Sequence, residues 1–216
     1  MKGERGLFIV FEGIDRSGKS THVHYLAKHI QDLDKYNNVL LTHEPWRSED
    51  IKRKLEYDAD AYSDGLKMAE LFTQDRRDHV NNLILPNLEQ GVYVICDRFK
   101  ASTCAYQSAQ GIQTEKLFEM QSKIKIVPDI TFLLDIDPET ALKRGSGKTE
   151  KFEKVGFLGR VRDQYLTIVE LSKCNNNVRD VFGEMIVINS DQSVEDVDRD
   201  LIKEFDLVYN RMRNFK

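Results

Sequence analysis

The chain has 216 residues, 40% apolar and 31% charged, enough for one globular domain with a sizeable core and unlike the composition of a disordered segment. No apolar run approaches the roughly 18 residues of a spanning helix, which excludes an integral helical membrane protein. Its 32 basic and 36 acidic residues give a formal net charge of -4, so there is no global positive field for nucleic acid or anionic lipid, and any phosphate site must be local.

At the N-terminus Lys2, Glu4 and Arg5 precede the short apolar run Leu7–Phe11, shorter than the roughly 7–15 residues of a signal-peptide core. That run is read as a strand and the protein as cytoplasmic, with a nuclear or organellar address left open. Cys96, Cys104 and Cys174 are widely spaced without a C-x-x-C pair, which suggests neither a zinc site nor a disulfide framework. No repeat, low-complexity stretch or Pro-rich linker divides residues 1–216, so a single domain is expected.

Runs rich in branched and aromatic residues follow at Val39–Thr42, Val92–Cys96, Ile130–Leu134 and Met185–Ile188, and with the first they read as five buried parallel strands. Between them, Val23, Leu26, Ala27 and Ile30 keep the spacing of a helix with one buried face. A longer helical pattern runs from about Asp64 to Gln90, where Pro86 should kink or restart it. The last helix is expected to start at Ser193, three residues before Asp196, and to bury Val194, Val197, Leu201, Phe205, Val208 and Met212. Alternating strands and helices predict an α/β fold, an open parallel five-stranded sheet with helices on both faces and ligands at the carboxyl edge of the strands.

Directly after the first strand stands Gly13-Ile14-Asp15-Arg16-Ser17-Gly18-Lys19-Ser20, the G-x-x-x-x-G-K-S of a phosphate-binding loop. Its glycines let backbone N–H groups turn toward phosphate oxygens, the helix N-terminus adds partial positive charge, and Lys19 supplies a point charge for the outer phosphates. Ser20 would hold Mg²⁺ through its hydroxyl. A chance glycine turn is the alternative, and the flanking strand and helix argue against it. Within the loop, Asp15 is expected to face a second substrate and Arg16 to reach the transferred phosphoryl group; pairing with each other, or pointing to solvent, is the plainer reading.

Asp97-Arg98-Phe99 ends the third strand on the same sheet edge. Arg98 could clamp a phosphate bidentately, and Asp97 could hold a magnesium-bound water or orient Lys19, unless the two form a structural pair. Phe72 and Arg76 share one helix face; composition alone reads Phe72 as core and Arg76 as a solvated charge.

Through five segments, the sequence resembles the thymidylate kinase family of nucleoside monophosphate kinases along nearly its whole length. The segments are FIVFEGIDRSGKST at Phe8–Thr21, LFTQDR at Leu71–Arg76, DRFKASTCAYQ at Asp97–Gln107, PDITFLLD at Pro128–Asp135, and KRG, EKFE and F-x-x-R-V-R-x-x-Y within Lys143–Tyr165. The resemblance implies ATP-Mg²⁺ in the loop formed by Gly13, Asp15, Arg16, Ser17, Gly18, Lys19, Ser20 and Thr21, with dTMP opposite. It implies that Asp15 accepts from the sugar 3′-hydroxyl, Arg98 binds the acceptor phosphate, Phe72 stacks on thymine and Arg76 donates to its O4. Tyr106 would pack on the deoxyribose and crowd out a 2′-hydroxyl, beside Ser102, Thr103 and Gln107; Thr103 stands where some members carry Asn.

Lys143–Gly156 resembles the lid over ATP, with Gly145, Gly147 and Gly156 as hinges and Arg144, Lys148 and Lys151 as its charges; Arg144 would lie near the adenine. An exposed basic loop is the plainer reading. Arg16 resembles the arrangement that places the catalytic arginine in the phosphate loop instead. After the second strand, Glu44-Pro45-Trp46-Arg47 departs from the usual family segment, and Arg47 is expected to take an acceptor-phosphate role. Catalysis is thus assigned to Arg16, Lys19, Asp97 and Arg98, metal binding to Ser20 and Asp97, and the resemblance further implies a homodimer. A broader deoxynucleoside monophosphate kinase and a non-catalytic nucleotide-binding protein are the alternatives.

Overall fold

In the computed structural model, residues 5–57, 64–144 and 151–214 are described. Five parallel strands, β1 (Phe8–Glu12), β2 (Val39–His43), β3 (Tyr93–Asp97), β4 (Ile130–Asp135) and β5 (Met185–Asn189), lie in the order β2-β3-β1-β4-β5. β1 is central, pairing Val10 with Cys96 on one side and Thr131 on the other. Order reverses on either side of β1, so the loop leaving it opens at the switch point of the sheet.

Every strand ends one residue beyond its apolar run, on Glu12, His43, Asp97, Asp135 and Asn189. Backbone pairing continues through these residues, as in His43 opposite Asp97 and Asp135 opposite Asn189, while their side chains give the carboxyl edge its polar row.

Alternation along β1 separates the two faces. Ile9 and Phe11 pack with Leu26 and Ile30 of α1 (Lys19–Leu33) and with Leu201 and Phe205 of α10 (Val194–Asn214). Phe8 and Val10 turn to the opposite face, toward Val80, Ile84 and Leu88. That face is extended by α5 (Lys100–Ala109), α6 (Thr114–Ser122), α8 (Lys151–Cys174) and α9 (Asn176–Phe182), where Ala105, Leu117, Val161 and Val178 form a further cluster. The C-terminal stripe is buried from Val197 to Val208, but Val194 in the first turn is 42% exposed. Ser193 caps this helix, its Oγ accepting the Asp196 N–H at 3.2 Å.

Two elements follow β2: α2 (Glu49–Tyr57), then α3 (Gly65–His79), whose N-cap Asp64 accepts the Lys67 N–H. A π-helical turn over Val80–Ile84 joins α3 to α4 (Leu85–Glu89). Leu85 N–H donates to Val80 O, and Pro86 enters in the first turn of α4. Proline has no N–H and its ring crowds the carbonyl four residues back, so the wider turn lets the helix restart there.

α7 (Pro138–Lys143) ends where the expected lid begins. Gly145, Gly147 and Lys148 lie outside the described residues, as does the Lys151 side chain. Gly156 is not a hinge: it lies inside α8, where the helix continues past it, since one glycine costs only about 1 kcal/mol in a helix. No helix among the described residues is long and apolar enough to cross a membrane.

Candidate active site

The loop after β1 requires glycine at its first position. Gly13 has φ 143°, and a Cβ there would meet Leu134 O at 2.6 Å. Gly18, at φ 97°, caps α1. Lys19, first in that helix, is 6% exposed. Its Nζ donates to Gly13 O, Ile14 O and Ser17 Oγ at 3.2, 2.9 and 3.4 Å, folding the ammonium back into the loop. Burial, with the Arg98 charge beside it, lowers its pKa to about 7. Lys19 makes no hydrogen bond to Asp97, so Asp97 does not orient it directly. Asp97 instead accepts the Ser20 hydroxyl at 2.9 Å through Oδ2, and its Oδ1 is buried with no hydrogen-bond partner among the described residues.

A cavity of about 570 Å³ opens over this loop, walled by Arg16, Lys19, Ser20, Thr21, Arg144 and Val194. Arg16, at φ 66°, donates to Leu142 O at 3.1 Å and so ties the loop to the end of α7. Arg144 donates to Ser190 O at 2.6 Å, which holds it on the cavity wall.

A second cavity, of about 160 Å³, lies on the other side of the loop and is lined by Asp15, Phe72, Arg76, Arg98, Tyr106 and Gln107, among others. Arg98 enters it from a left-handed turn, φ 70°, a conformation that non-glycine residues adopt only when their surroundings hold it. Its Nη2 donates to Asp15 Oδ1 at 2.5 Å and to Tyr106 OH at 3.2 Å, and its guanidinium lies 5.1 Å from the Tyr106 ring centre. Neither plainer pairing occurs: Asp15 meets Arg98 and not Arg16, and Arg98 meets Asp15 and not Asp97.

Arg76 overturns its reading as a solvated charge, being 1% exposed. Nε donates to Glu44 at 2.7 Å, Nη1 to Gln121 at 2.6 Å, and Nη2 to Phe99 O and Thr103 Oγ1. Burial is tolerated because Glu44 supplies the opposite charge and three further acceptors supply hydrogen bonds. His79 backs this pair, between Glu44 Oε1 and Thr42 Oγ1, and stacks under Trp46 at 5.2 Å. Phe72 is half-buried at the cavity wall. Ser102 and Thr103 line the cavity with their hydroxyls already engaged, by Glu12 and Arg76 respectively. Gln107 is buried, its Oε1 without a hydrogen-bond partner among the described residues.

Arg47 is not among the residues lining this cavity. Its guanidinium lies over Trp46, 4.4 Å from the ring centre, beside an adjoining groove that shares Pro45 and Leu55 with the cavity. Asp75 fixes the turn by accepting the backbone N–H groups of Trp46, Arg47 and Ser48.

Sequence reasoning missed Glu12, Glu44, Asp75 and His79, all buried, and gave Tyr165 no role. The one signal available was charge out of place, a Glu closing an apolar strand directly before a glycine loop.

The family described as Thymidylate kinase matches residues 11–201. A probable thymidylate kinase of Staphylothermus marinus is 37% identical over 209 residues, covering 94% of this chain and 96% of its own length. The thymidylate kinase of Wolbachia pipientis is 40% identical over 179 residues, 78% of this chain and 85% of its own. The crystal structure of thymidylate kinase from Ehrlichia chaffeensis matches with a TM-score of 0.71 at 33% identity, over 94% of this chain and 99% of that one.

Proposed function

The chain belongs to the thymidylate kinase family, and from that premise we propose that it transfers the γ-phosphoryl group of ATP to dTMP, giving ADP and dTDP. The observation that carries this reading is that consecutive residues of one loop, Asp15 and Arg16, line different cavities. The phosphate loop is therefore the common wall between a donor site and an acceptor site, which is the geometry an in-line transfer needs.

The attacking group is already a phosphate oxygen, so no strong general base is required, and catalysis is positioning and charge stabilisation. Lys19 and Arg16 serve the transferred group from the loop. Arg98 holds the acceptor phosphate, Asp15 takes the 3′-hydroxyl, Phe72 stacks on the base, Arg76 reads its edge and Tyr106 backs the sugar. A hydroxyl and a carboxylate side by side, Ser20 and Asp97, with one carboxylate oxygen unpartnered among the described residues, fit a hard cation that keeps waters and phosphate oxygens as its other ligands. Mg²⁺ bound there would neutralise phosphate charge. A homodimer, a cytoplasmic location and a lid over residues 143–156 complete the proposal, and light scattering giving one chain mass would remove the dimer.

ADP release with ATP-Mg²⁺ and equal concentrations of dTMP, dUMP, UMP, dCMP, AMP and dGMP tests the assignment. Strong turnover with dTMP and little with UMP supports the pocket of Phe72, Arg76 and Tyr106. Comparable rates across bases would make the protein a broad nucleoside monophosphate kinase, and no turnover with any acceptor would sink the activity.

A further inference from the structure

Glu12 is 0% exposed at the end of β1, on the strand face that carries Phe8 and Val10 and turned toward α5. A carboxylate so placed loses its hydration, and burial raises its pKa against the pull of the groups around it. Such a group is retained where its hydrogen bonds are complete. Oε1 accepts the Phe99 N–H at 2.9 Å and the Ser102 N–H at 3.2 Å. These are first-turn donors of α5, whose cap residue Phe99 offers no side-chain acceptor; Glu12 caps that helix from a different element. Oε2 accepts the Ser102 hydroxyl at 2.5 Å and the Tyr165 hydroxyl at 3.1 Å.

The same two hydroxyls meet Arg98. Its Nη1 donates to Ser102 Oγ at 3.2 Å, to Tyr165 OH at 3.4 Å and to Gly13 O at 3.1 Å. Ser102 gives its proton to the carboxylate; Tyr165 gives its proton to the carboxylate or to Ser102 Oγ, 2.8 Å away, and both hydroxyls offer lone pairs to the guanidinium. Glu12 and Arg98 are therefore opposite charges linked through two oriented hydroxyls, without a direct ion pair. The Phe99 N–H held by Glu12 belongs to the peptide bond that leaves Arg98, so the carboxylate also pins the left-handed turn at its source.

We propose that Glu12 is a positioning residue for the acceptor phosphate: through Ser102 and Tyr165 it fixes the guanidinium of Arg98 and presents it to the acceptor cavity. The proposal rests on the reading of Arg98 as the acceptor-phosphate ligand. It predicts a defect confined to the phosphate of the acceptor, which a general loss of packing would not give.

Glu12→Gln keeps an oxygen for the two backbone donors, removes the charge and puts an N–H donor opposite the hydroxyls. Calorimetry of thymidine and of dTMP, without ATP, separates the nucleoside from its phosphate. Glu12→Gln should bind thymidine within about twofold of the unaltered protein and weaken dTMP by about tenfold or more, the scale of one hydrogen bond to a charged group. A dTMP-to-thymidine affinity ratio unchanged within twofold, or equal losses for both ligands, would overturn the proposal. If Glu12→Gln does not fold, Tyr165→Phe removes one bridging hydroxyl and leaves the carboxylate; it should lower the same ratio by about threefold or more, and an unchanged ratio counts against Glu12 equally. If the unaltered protein binds dTMP no better than thymidine, the reading of Arg98 fails separately. The ¹⁵N resonances of the Arg98 Nη groups in the free protein then decide the positioning: distinct, slowly rotating signals that average in Glu12→Gln support it, and identical spectra reject it.

Discussion

Arg98 Nη2 and Asp15 Oδ1, from residues 83 apart in sequence, meet at 2.5 Å at the rim of the acceptor cavity. Burial works against the Asp15 charge, but the Arg98 and Lys19 cations outweigh it and hold the carboxyl below its ordinary range. Asp15 thus stays ionised at neutral pH, an acceptor ready for a hydroxyl donor and a restraint on Arg98. Asp15→Asn should lower kcat/KM for dTMP by about 10- to 100-fold, the range of a lost hydrogen bond between a charged group and substrate. The loss should be clearly smaller with the 3′-deoxy analogue, which has no hydroxyl to offer. Equal losses with both acceptors would move the 3′-hydroxyl contact elsewhere.

The phosphate loop was legible in sequence because its chemistry depends on backbone conformation, and glycines at fixed positions advertise that conformation. The five strands were legible for a similar reason: a strand buried on both faces must be apolar throughout. Arg76 and Glu12 were not. Nothing in a helical LFTQDR segment distinguishes an arginine facing water from one facing Glu44, since Glu44 reaches it from another element 32 residues away. Composition weighs the residue alone, whereas burial of a charge depends on its partner. Arg47 shows the opposite limit, an arginine expected to reach the acceptor phosphate whose side chain the turn directs over Trp46 instead.

The buried pair itself predicts a stability effect. Arg76→Ala leaves Glu44 with His79 as its remaining side-chain partner among the described residues, and removing one partner of a buried ion pair costs about 3–5 kcal/mol. Urea unfolding should show a loss of that size, and discrimination of dTMP against dCMP should narrow in the protein that remains folded. A loss within about 0.5 kcal/mol, the range of ordinary surface substitutions, would mean that the pair is open to solvent in solution.

Arg16 is exposed, and its guanidinium donates to the backbone carbonyl of Leu142. Its removal should therefore leave the fold intact. Arg16→Ala is expected to lower kcat by about 10²-fold or more with a modest change in KM, the pattern of a contact made chiefly in the transition state. An unchanged kcat, measured at saturating ATP and dTMP, would assign the catalytic cation to the lid segment.

Lys19 predicts opposite pH trends for stability and for ligand binding. Unfolding returns its pKa from about 7 to the ordinary 10.5, so between those values the unfolded chain binds the extra proton and the Lys19 contribution to stability rises with pH. Lys100, buried on three backbone carbonyls and also lowered to about 7, adds in the same direction. Phosphate groups reverse the sign at Lys19 alone, because an anion in the loop favours the ammonium and raises its pKa in the complex. Below pH 7 the lysine is protonated with or without nucleotide, and affinity is independent of its titration. Above pH 7 the free protein loses the proton and the complex keeps it, so affinity for ATP-Mg²⁺ should fall by up to tenfold per pH unit until the pKa of the complex is reached. Calorimetry at pH 8 in two buffers of different ionisation heat should detect uptake approaching one proton on binding, and uptake near zero at pH 8 would show that Lys19 is already fully charged in the free loop.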